Sequence, residues 1–191
     1  MNMSRELKAI QKILIRASDK SNIEFFTRVV SGKQKIYGVK TPVLNDIVKK
    51  YKGGSFDLAE ELWKSGALEE KIIAIKIMER TGKTDPARLI RLFKQLSKQI
   101  DNWAVCDGFG MQFLRSIVKT HRAELFALAR KLNCSEDPWQ RRLSLVMVEW
   151  YTRHADAHKE IKDLLKHLEN DEEYYVKKAV AWIKRNLKKG K

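Results

Sequence analysis

Three short segments of the chain contain residue types that could act on a charged substrate. In the first segment, Trp103 and Asp107 are four residues apart and therefore share one face of a helix. Apolar residues and a glycine flank Asp107, and an unpaired charge is costly in such surroundings. We therefore expect Asp107 to have a functional role or a buried basic partner. In the purely structural alternative, Asp107 pairs with an arginine of the next helical repeat and Trp103 belongs to the core.

The other two segments combine tryptophan with arginine or lysine. Trp139 follows Trp103 by 36 residues, so Arg142 is expected near Asp107 on a neighbouring helix, where it could position the carboxylate or bind a phosphate. The third segment, residues 177–185, is a basic helix that carries Trp182. A tryptophan among lysines suits contact with a sugar-phosphate backbone, although core packing is the commoner fate of a helical tryptophan.

The elements that position these segments are expected to be helices. Thr41-Pro42, Asp85-Pro86 and Asp137-Pro138 each combine a capping residue with a proline, which is typical of a helix start. Between these points apolar residues recur at helical spacing, and no run of alternating strands is present. The sequence predicts eleven helices, at residues 4–18, 22–31, 41–52, 55–65, 68–81, 85–98, 101–119, 121–132, 137–153, 156–168 and 172–188.

The predicted helices form a repeat. Helix pairs begin near Ala67, Asp101 and Glu136, and a last helix begins near Asp171, which gives a spacing of 34–36 residues. Pairs of this size stack into an α-solenoid. We therefore predict an all-α fold, an α-α superhelix of HEAT-like helical repeats with a concave basic face, which forms a single domain over residues 1–191. A compact helical bundle is the competing architecture.

The chain is basic along its whole length. Its 39 Lys and Arg residues against 24 Asp and Glu residues give a net charge of +15, with excesses of +10 in residues 1–100 and +5 in residues 101–191. Such a charge on a folded body favours a polyanionic partner, because each neutralised phosphate releases condensed counterions. We expect a monomer that binds double-stranded DNA and has no obligate protein partner. A generally basic soluble protein is the alternative, and an anionic membrane surface is less favoured.

Several kinds of site and location are disfavoured by the sequence. No P-loop, HExxH motif or paired-cysteine motif is present, so we expect neither a metal ion nor an organic cofactor. The two cysteines, Cys106 and Cys134, fit neither a disulfide framework nor a zinc site. No apolar run approaches the ~20 residues of a membrane span, and the charged start, Met1 to Ile15, does not have the pattern of a signal peptide. The expected location is the cytoplasm.

The ordered set of motifs resembles the AlkD-like DNA alkylation repair family, which are HEAT-like-repeat DNA glycosylases. The likeness extends from about Tyr37 to Lys188. It includes the Tyr-Gly-Val-Lys-Thr-Pro turn at residues 37–42 and the Glu-Leu-Trp motif at residues 61–63, ahead of an Ile/Ala-rich helix. The three segments described above complete the set, in order and at the family's spacing.

The resemblance implies a monofunctional glycosylase, a hydrolase that excises cationic N3- or N7-alkylated purines from duplex DNA without flipping the base into a pocket. Trp103, Asp107, Arg142 and Trp182 match the family's active-cleft residues. Asp107 would stabilise the oxocarbenium-like sugar and place a water molecule, while the two tryptophans would contact the lesion and its sugar. The candidates for binding DNA phosphates are Lys40, Arg141, Arg142, Lys178 and Arg185.

The sequence departs from the family pattern at three places that are expected to contact the damaged nucleotide. Val29 aligns near the family's second-helix tyrosine, Lys40 replaces a glutamine, and the chain ends about nine residues after Trp182. Two other functions stay open at this point: a non-catalytic HEAT-repeat module that binds damaged or branched DNA, and a solenoid scaffold for acidic protein partners. The enzyme and the binding module differ at Asp107, because only an enzyme has base excision to lose in Asp107→Asn.

Overall fold

The computed structural model describes residues 4–32, 34–51 and 53–189 of the 191-residue chain. Within these residues all regular secondary structure is helical. The α-helices are α1 (Arg5–Arg16), α2 (Lys20–Val29), α3 (Thr41–Lys50), α4 (Phe56–Ser65), α5 (Leu68–Thr81), α6 (Pro86–Leu96), α7 (Trp103–Gly108), α8 (Arg122–Asn133), α9 (Pro138–Val146), α10 (His158–His167) and α11 (Tyr174–Lys189). Each of the eleven predicted helices is found, which confirms the predicted all-α fold. The predicted end of the third helix, residue 52, lies outside the described residues.

Contacts divide the chain into two compact units, residues 1–86 and residues 87–191. In the N-terminal unit α5 packs on α3 and α4, and α1 packs on α4. In the C-terminal unit α9 packs on α7, α8 and α11. The helices α5, α7, α9 and α11 begin 35, 35 and 36 residues apart, in agreement with the predicted period. The single solenoid domain over residues 1–191 and its concave basic face stay predictions.

In the N-terminal unit, a buried carboxylate holds the turn that precedes α3. Glu69 accepts hydrogen bonds from the backbone N–H groups of Tyr37, Gly38 and Val39, at 3.0, 2.7 and 3.1 Å. Gly38 has a φ of +73°, and a Cβ atom there would lie 2.4 Å from the carbonyl oxygen of Asp19. Glycine is therefore required at this point of the turn.

In the C-terminal unit, the predicted helix at residues 101–119 is interrupted. It runs as α7 to Gly108, continues as a π-helical segment at Phe109–Phe113 and ends in turns. The segment packs tightly on α9, since a Cβ atom on Gly110 would lie 2.7 Å from Cγ1 of Val146. The predicted helix at residues 137–153 is likewise shorter, because α9 ends at Val146 and a 3-10 helix follows at Glu149–Arg153.

The helix starts agree with the sequence at two of the three proline sites. Asp137 is the N-cap of α9 and accepts a hydrogen bond from the backbone N–H of Trp139 at 2.8 Å, and α6 begins at Pro86. The prediction of Thr41 as a cap is wrong, because Thr41 is already the first residue of α3 and Lys40 occupies the cap position without a side-chain hydrogen bond. In the described part of the chain, no helix has the length and apolar character that crossing a membrane requires.

Candidate active site

The first two turns of α7 and α9 and the first turn of α11 bring the candidate site together in the C-terminal unit. Asn102 caps α7, and its side-chain oxygen accepts a hydrogen bond from the N–H of Val105 at 2.9 Å. Asn102 is fully buried, so this bond also satisfies a group that water does not reach. Because α9 contacts both α7 and α11, side chains near the starts of all three helices can meet.

Asp107 of α7 and Arg142 of α9 form a two-pronged ion pair. The Nε and Nη2 atoms of Arg142 donate to the two carboxylate oxygens of Asp107 at 2.9 and 2.8 Å. The Nη1 atom of Arg142 donates to the backbone carbonyl of Tyr175 on α11 at 2.5 Å. Arg142 is 6% exposed, whereas the Asp107 side chain retains 25% of its exposure. The guanidinium therefore joins three helices and leaves the carboxylate accessible from one side.

Two opposing effects act on the ionisation of Asp107. Burial raises the pKa of Asp107 above its ordinary value, and the hydrogen bonds and positive charge of Arg142 oppose that rise. The adjacent Cys106 is fully buried, and burial together with the nearby Asp107 raises the pKa of its thiol. Cys106 donates to the carbonyl oxygen of Trp139 at 3.7 Å. A neutral, buried thiol is a packing residue and not a nucleophile.

An aromatic pair lies beside the ion pair. The rings of Trp139 and Tyr175 are 5.0 Å apart at an interplanar angle of 33°, and the guanidinium carbon of Arg142 is 5.9 Å from the Tyr175 ring centre. Tyr175 was not among the residues singled out from the sequence. The signal that could have found it is the period itself, because Trp103, Trp139 and Tyr175 are spaced by 36 residues each.

Arg141 forms a second ion pair that the sequence did not indicate. Its Nε atom donates to Asp171 at 2.6 Å, and its Nη1 atom donates to the carbonyl oxygens of Ser135 and Glu136 at 3.0 and 2.8 Å. The side chains of Arg141 and Asp171 are only 18% and 7% exposed. This arginine therefore ties the loop before α9 to the loop before α11. Phosphate binding by Arg141, or by the more deeply buried Arg142, stays a prediction.

The remaining predicted site residues are more accessible. Trp103, in the first turn of α7, and Trp182, on α11, are both half-buried. Lys178 and Arg185 are exposed on α11, and the Nζ atom of Lys178 lies 4.6 Å from the ring centre of Tyr174. Lys40 is exposed in the N-terminal unit. Among the described residues, no cluster of three or more His, Cys, Asp or Glu side chains could hold a metal ion.

Comparison with models of known protein families shows the family to which this chain belongs. A family model described as DNA alkylation repair enzyme matches residues 10–190, which is nearly the whole chain. The chain belongs to the DNA alkylation repair enzyme family. A comparison with individually curated proteins gave no significant match. The match includes α7, α9 and α11, so the site described above lies within the matched part of the chain.

Membership in the DNA alkylation repair enzyme family supports a role in DNA repair, with DNA as the substrate. It agrees with the resemblance recognised in the sequence and with the net charge of +15.

Proposed function

We propose that this protein is a monofunctional DNA glycosylase that removes cationic N3- or N7-alkylated purines from duplex DNA. Asp107 is the catalytic carboxylate. The observation that carries the proposal is the Asp107–Arg142 ion pair, because it holds a partly exposed carboxylate in a fixed orientation between three helices of a DNA alkylation repair enzyme. No metal ion or organic cofactor is required by this chemistry.

Excision of a cationic base requires only a carboxylate near C1′ and a water molecule. An N3- or N7-alkylated purine carries a positive charge, so its glycosidic bond is weakened and the base leaves as a neutral group. Positive charge then develops at C1′ of the deoxyribose, and a nearby carboxylate stabilises it. The product is completed by water, which attacks C1′ and loses a proton. A general acid is not needed for this leaving group.

Arg142 suits the role of a positioning residue. A carboxylate has about four lone-pair sites, and the two hydrogen bonds from Arg142 use one on each oxygen of Asp107. The remaining sites, on the side of Asp107 that is exposed, can face the sugar and accept a hydrogen bond from the attacking water. Burial favours the neutral form of Asp107, and the positive charge of Arg142 opposes that effect and favours the anionic carboxylate.

The aromatic residues supply further stabilisation of a cationic lesion. Trp103 is one helical turn before Asp107 and shares its face of α7. The electron-rich face of a tryptophan attracts a cation within about 6 Å by about 0.5–2 kcal/mol. Trp182, two turns after Tyr175 on α11, is proposed to contribute in the same way. Lys178 and Arg185, exposed on the same helix, are proposed to bind the flanking phosphates. Phosphate binding by Lys40 of the N-terminal unit and by Arg141 and Arg142 of α9 is proposed on the family resemblance alone.

A second candidate, a non-catalytic module for damaged or branched DNA, is favoured by one observation. Both oxygens of Asp107 already accept hydrogen bonds from Arg142, which is also the arrangement of a structural ion pair between helices. In that case the site would bind DNA through its basic residues and break no bond.

A duplex that contains a cationic pyrrolidine in place of one deoxyribose distinguishes the two candidates, because it mimics the charge of the transition state. We expect the wild-type protein to bind this duplex about 100-fold more tightly than a duplex with a neutral abasic-site analogue. Asp107→Asn should lose that preference and keep its affinity for the neutral duplex. Equal affinity of the wild-type protein for both duplexes would support the binding module instead.

A further inference from the structure

A buried ion pair of the C-terminal unit, between Arg141 and Asp171, is not used by the proposed chemistry. Both side chains are largely buried. Asp171 also accepts a hydrogen bond from the backbone N–H of Glu173, the residue before α11, at 2.9 Å. One carboxylate therefore binds both an arginine of α9 and the chain segment from which α11 begins.

The guanidinium of Arg141 has few hydrogen-bond donors left for another partner. An arginine has five N–H donors. Nε and Nη2 donate to Asp171 at 2.6 and 3.4 Å, and Nη1 donates to the carbonyl oxygens of Ser135 and Glu136. These four hydrogen bonds use four of the five donors, and the carboxylate of Asp171 neutralises the charge. Arg141 is therefore poorly suited to bind a phosphate.

Arg141 and Arg142 are consecutive residues of α9, and both attach α9 to the start of α11. Arg142 donates to the carbonyl oxygen of Tyr175, in the first turn of α11, and to both oxygens of Asp107. Tyr175 follows Asp171 by only four residues. A shift of the segment before α11 would move the carbonyl group that Arg142 binds. Arg142 would then pass that shift on to Asp107.

The contribution of the Arg141–Asp171 pair is geometric more than energetic. A buried ion pair adds little net stability, because the cost of removing two charges from water offsets their attraction. Its directional hydrogen bonds still favour one arrangement of the groups that they join. The helix α11 is also held further along, because Asn186 donates to the buried Glu149 at 2.9 Å. Loss of the pair should therefore loosen the start of α11 without detaching the helix.

We propose that Arg141 and Asp171 are positioning residues. Their ion pair fixes the start of α11 and, through Arg142, the orientation of the catalytic carboxylate. Arg141 acts through this pair, and not as the phosphate ligand that the family resemblance suggests. The effect on catalysis rests on the proposed function, because it requires Asp107 to be the catalytic carboxylate. The effect on the orientation of Arg142 does not, and it can be measured without any reaction.

The test compares Asp171→Asn and Arg141→Gln with a matched control. Asparagine can still accept the hydrogen bond from the N–H of Glu173, but it removes the charge that binds Arg141. The control is Glu169→Gln, which breaks the exposed ion pair between Glu169 and Lys184 of α11 and raises the net charge by one, as Asp171→Asn does. The double variant Arg141→Gln/Asp171→Asn leaves no unpaired buried charge, so it replaces a single variant that circular dichroism shows to be unfolded.

The first measurement is the NMR signal of the Arg142 Nε–H group in protein with isotope-labelled arginine. This group donates to Asp107 from a buried side chain, so its exchange with water is slow in the wild-type protein. We expect each variant of the pair to increase the exchange rate by about 10-fold, the factor for weakening one hydrogen bond of ordinary net strength. Glu169→Gln should leave the rate unchanged. An unchanged rate in the variants of the pair would overturn the proposal.

The second measurement is the single-turnover release of alkylated base at increasing protein concentration. We expect each variant of the pair to lower the maximal rate by about 10-fold, because a small displacement of a catalytic group slows the reaction. The half-saturating protein concentration should stay at its wild-type value, since the contacts with DNA are kept. A changed half-saturating concentration with an unchanged maximal rate would overturn the proposal.

Phosphate binding by Arg141 is the competing role, and it predicts opposite behaviour of the two single variants. Asp171→Asn would release Arg141 and strengthen its contact with a phosphate. Arg141→Gln would remove that contact and lower the slope of log affinity against log salt by about 0.9. We expect both variants to bind an undamaged duplex with the wild-type slope. Opposite changes in the affinity of the two variants would overturn the positioning role.

Failure of the positioning role can be distinguished from failure of the glycosylase. If the wild-type protein releases no alkylated base, the proposed glycosylase is wrong, while faster exchange at Arg142 in the variants of the pair still supports the positioning of Arg142. If base release occurs and its maximal rate is unchanged in the variants of the pair, only the positioning role is wrong.

Discussion

Replacement of Arg142 by methionine tests the geometry of the candidate site through stability. Removing one partner of a buried ion pair typically costs about 3–5 kcal/mol, because the other charge is left without compensation. The Asp107 side chain is 25% exposed, so water can solvate it in part. We therefore expect the lower end of this range, a loss of about 3 kcal/mol in the free energy of unfolding at pH 7.

The same variant has a predicted pH dependence. Burial already raises the pKa of Asp107, and removal of Arg142 leaves that effect unopposed. The pKa of Asp107 in the folded variant should then be further above its value in the unfolded chain. A carboxyl with a raised folded-state pKa binds its proton more tightly when folded, so stability increases as pH falls. The cost of Arg142→Met should therefore shrink between pH 7 and pH 5.

The assay is chemical denaturation followed by tryptophan fluorescence. Four of the five tryptophans lie in residues 87–191, so the signal reports mainly on the C-terminal unit. A double-mutant cycle with Asp107→Asn should give a coupling energy of about 1–3 kcal/mol. Arg185→Met, at an exposed position of α11, is the matched control and should change stability by less than about 0.5 kcal/mol. A coupling energy near zero, or a cost that does not depend on pH, would refute this account of the ion pair.

Three further predictions concern the same unit. Gly110→Ala should lower the midpoint of thermal unfolding, with a loss of about 1–3 kcal/mol from the clash with α9; Gly53→Ala, where the added Cβ meets nothing within 4 Å, is the control and should cause no such loss. Trp139→Ala should destabilise the unit by about 2–4 kcal/mol in denaturant titrations, because it removes the ring that contacts Tyr175 of α11; an unchanged midpoint would contradict that packing. The rate of base release should fall as pH drops through the raised pKa of Asp107, and Arg142→Gln should move this acid limb to higher pH; a limb that stays in place would mean that Arg142 does not act on the carboxylate.

The fold could be predicted from the sequence because its signals are local. Helix periodicity and the 34–36-residue repeat depend on residues near one another in the chain, and the structure has all eleven helices. The interruption after Gly108 was not predictable in this way. The segment after Gly108 packs closely on α9, where Gly110 faces Val146, and local periodicity carries no information on a contact between residues 36 positions apart.

The parts of the candidate site that follow from the repeat were predictable from the sequence, and the contacts between distant loops were not. Alignment of the repeats placed Arg142 near Asp107, and the two side chains are in contact. The pairing of Arg141 with Asp171 was not found, because neither residue differs from an ordinary surface charge until the loops before α9 and α11 are brought together. Tyr175 could have been predicted from the sequence, since it continues the 36-residue spacing of Trp103 and Trp139.

The central claim is that the Asp107 carboxylate breaks a glycosidic bond. The most direct measurement is the single-turnover release of 7-methylguanine and 3-methyladenine from methylated duplex DNA by the wild-type protein and by Asp107→Asn, with protein in excess so that DNA affinity does not limit the rate. We predict release by the wild-type protein, and a rate that is lower by about 100-fold or more in Asp107→Asn. Release at the same rate by both proteins, or by neither, would contradict the claim.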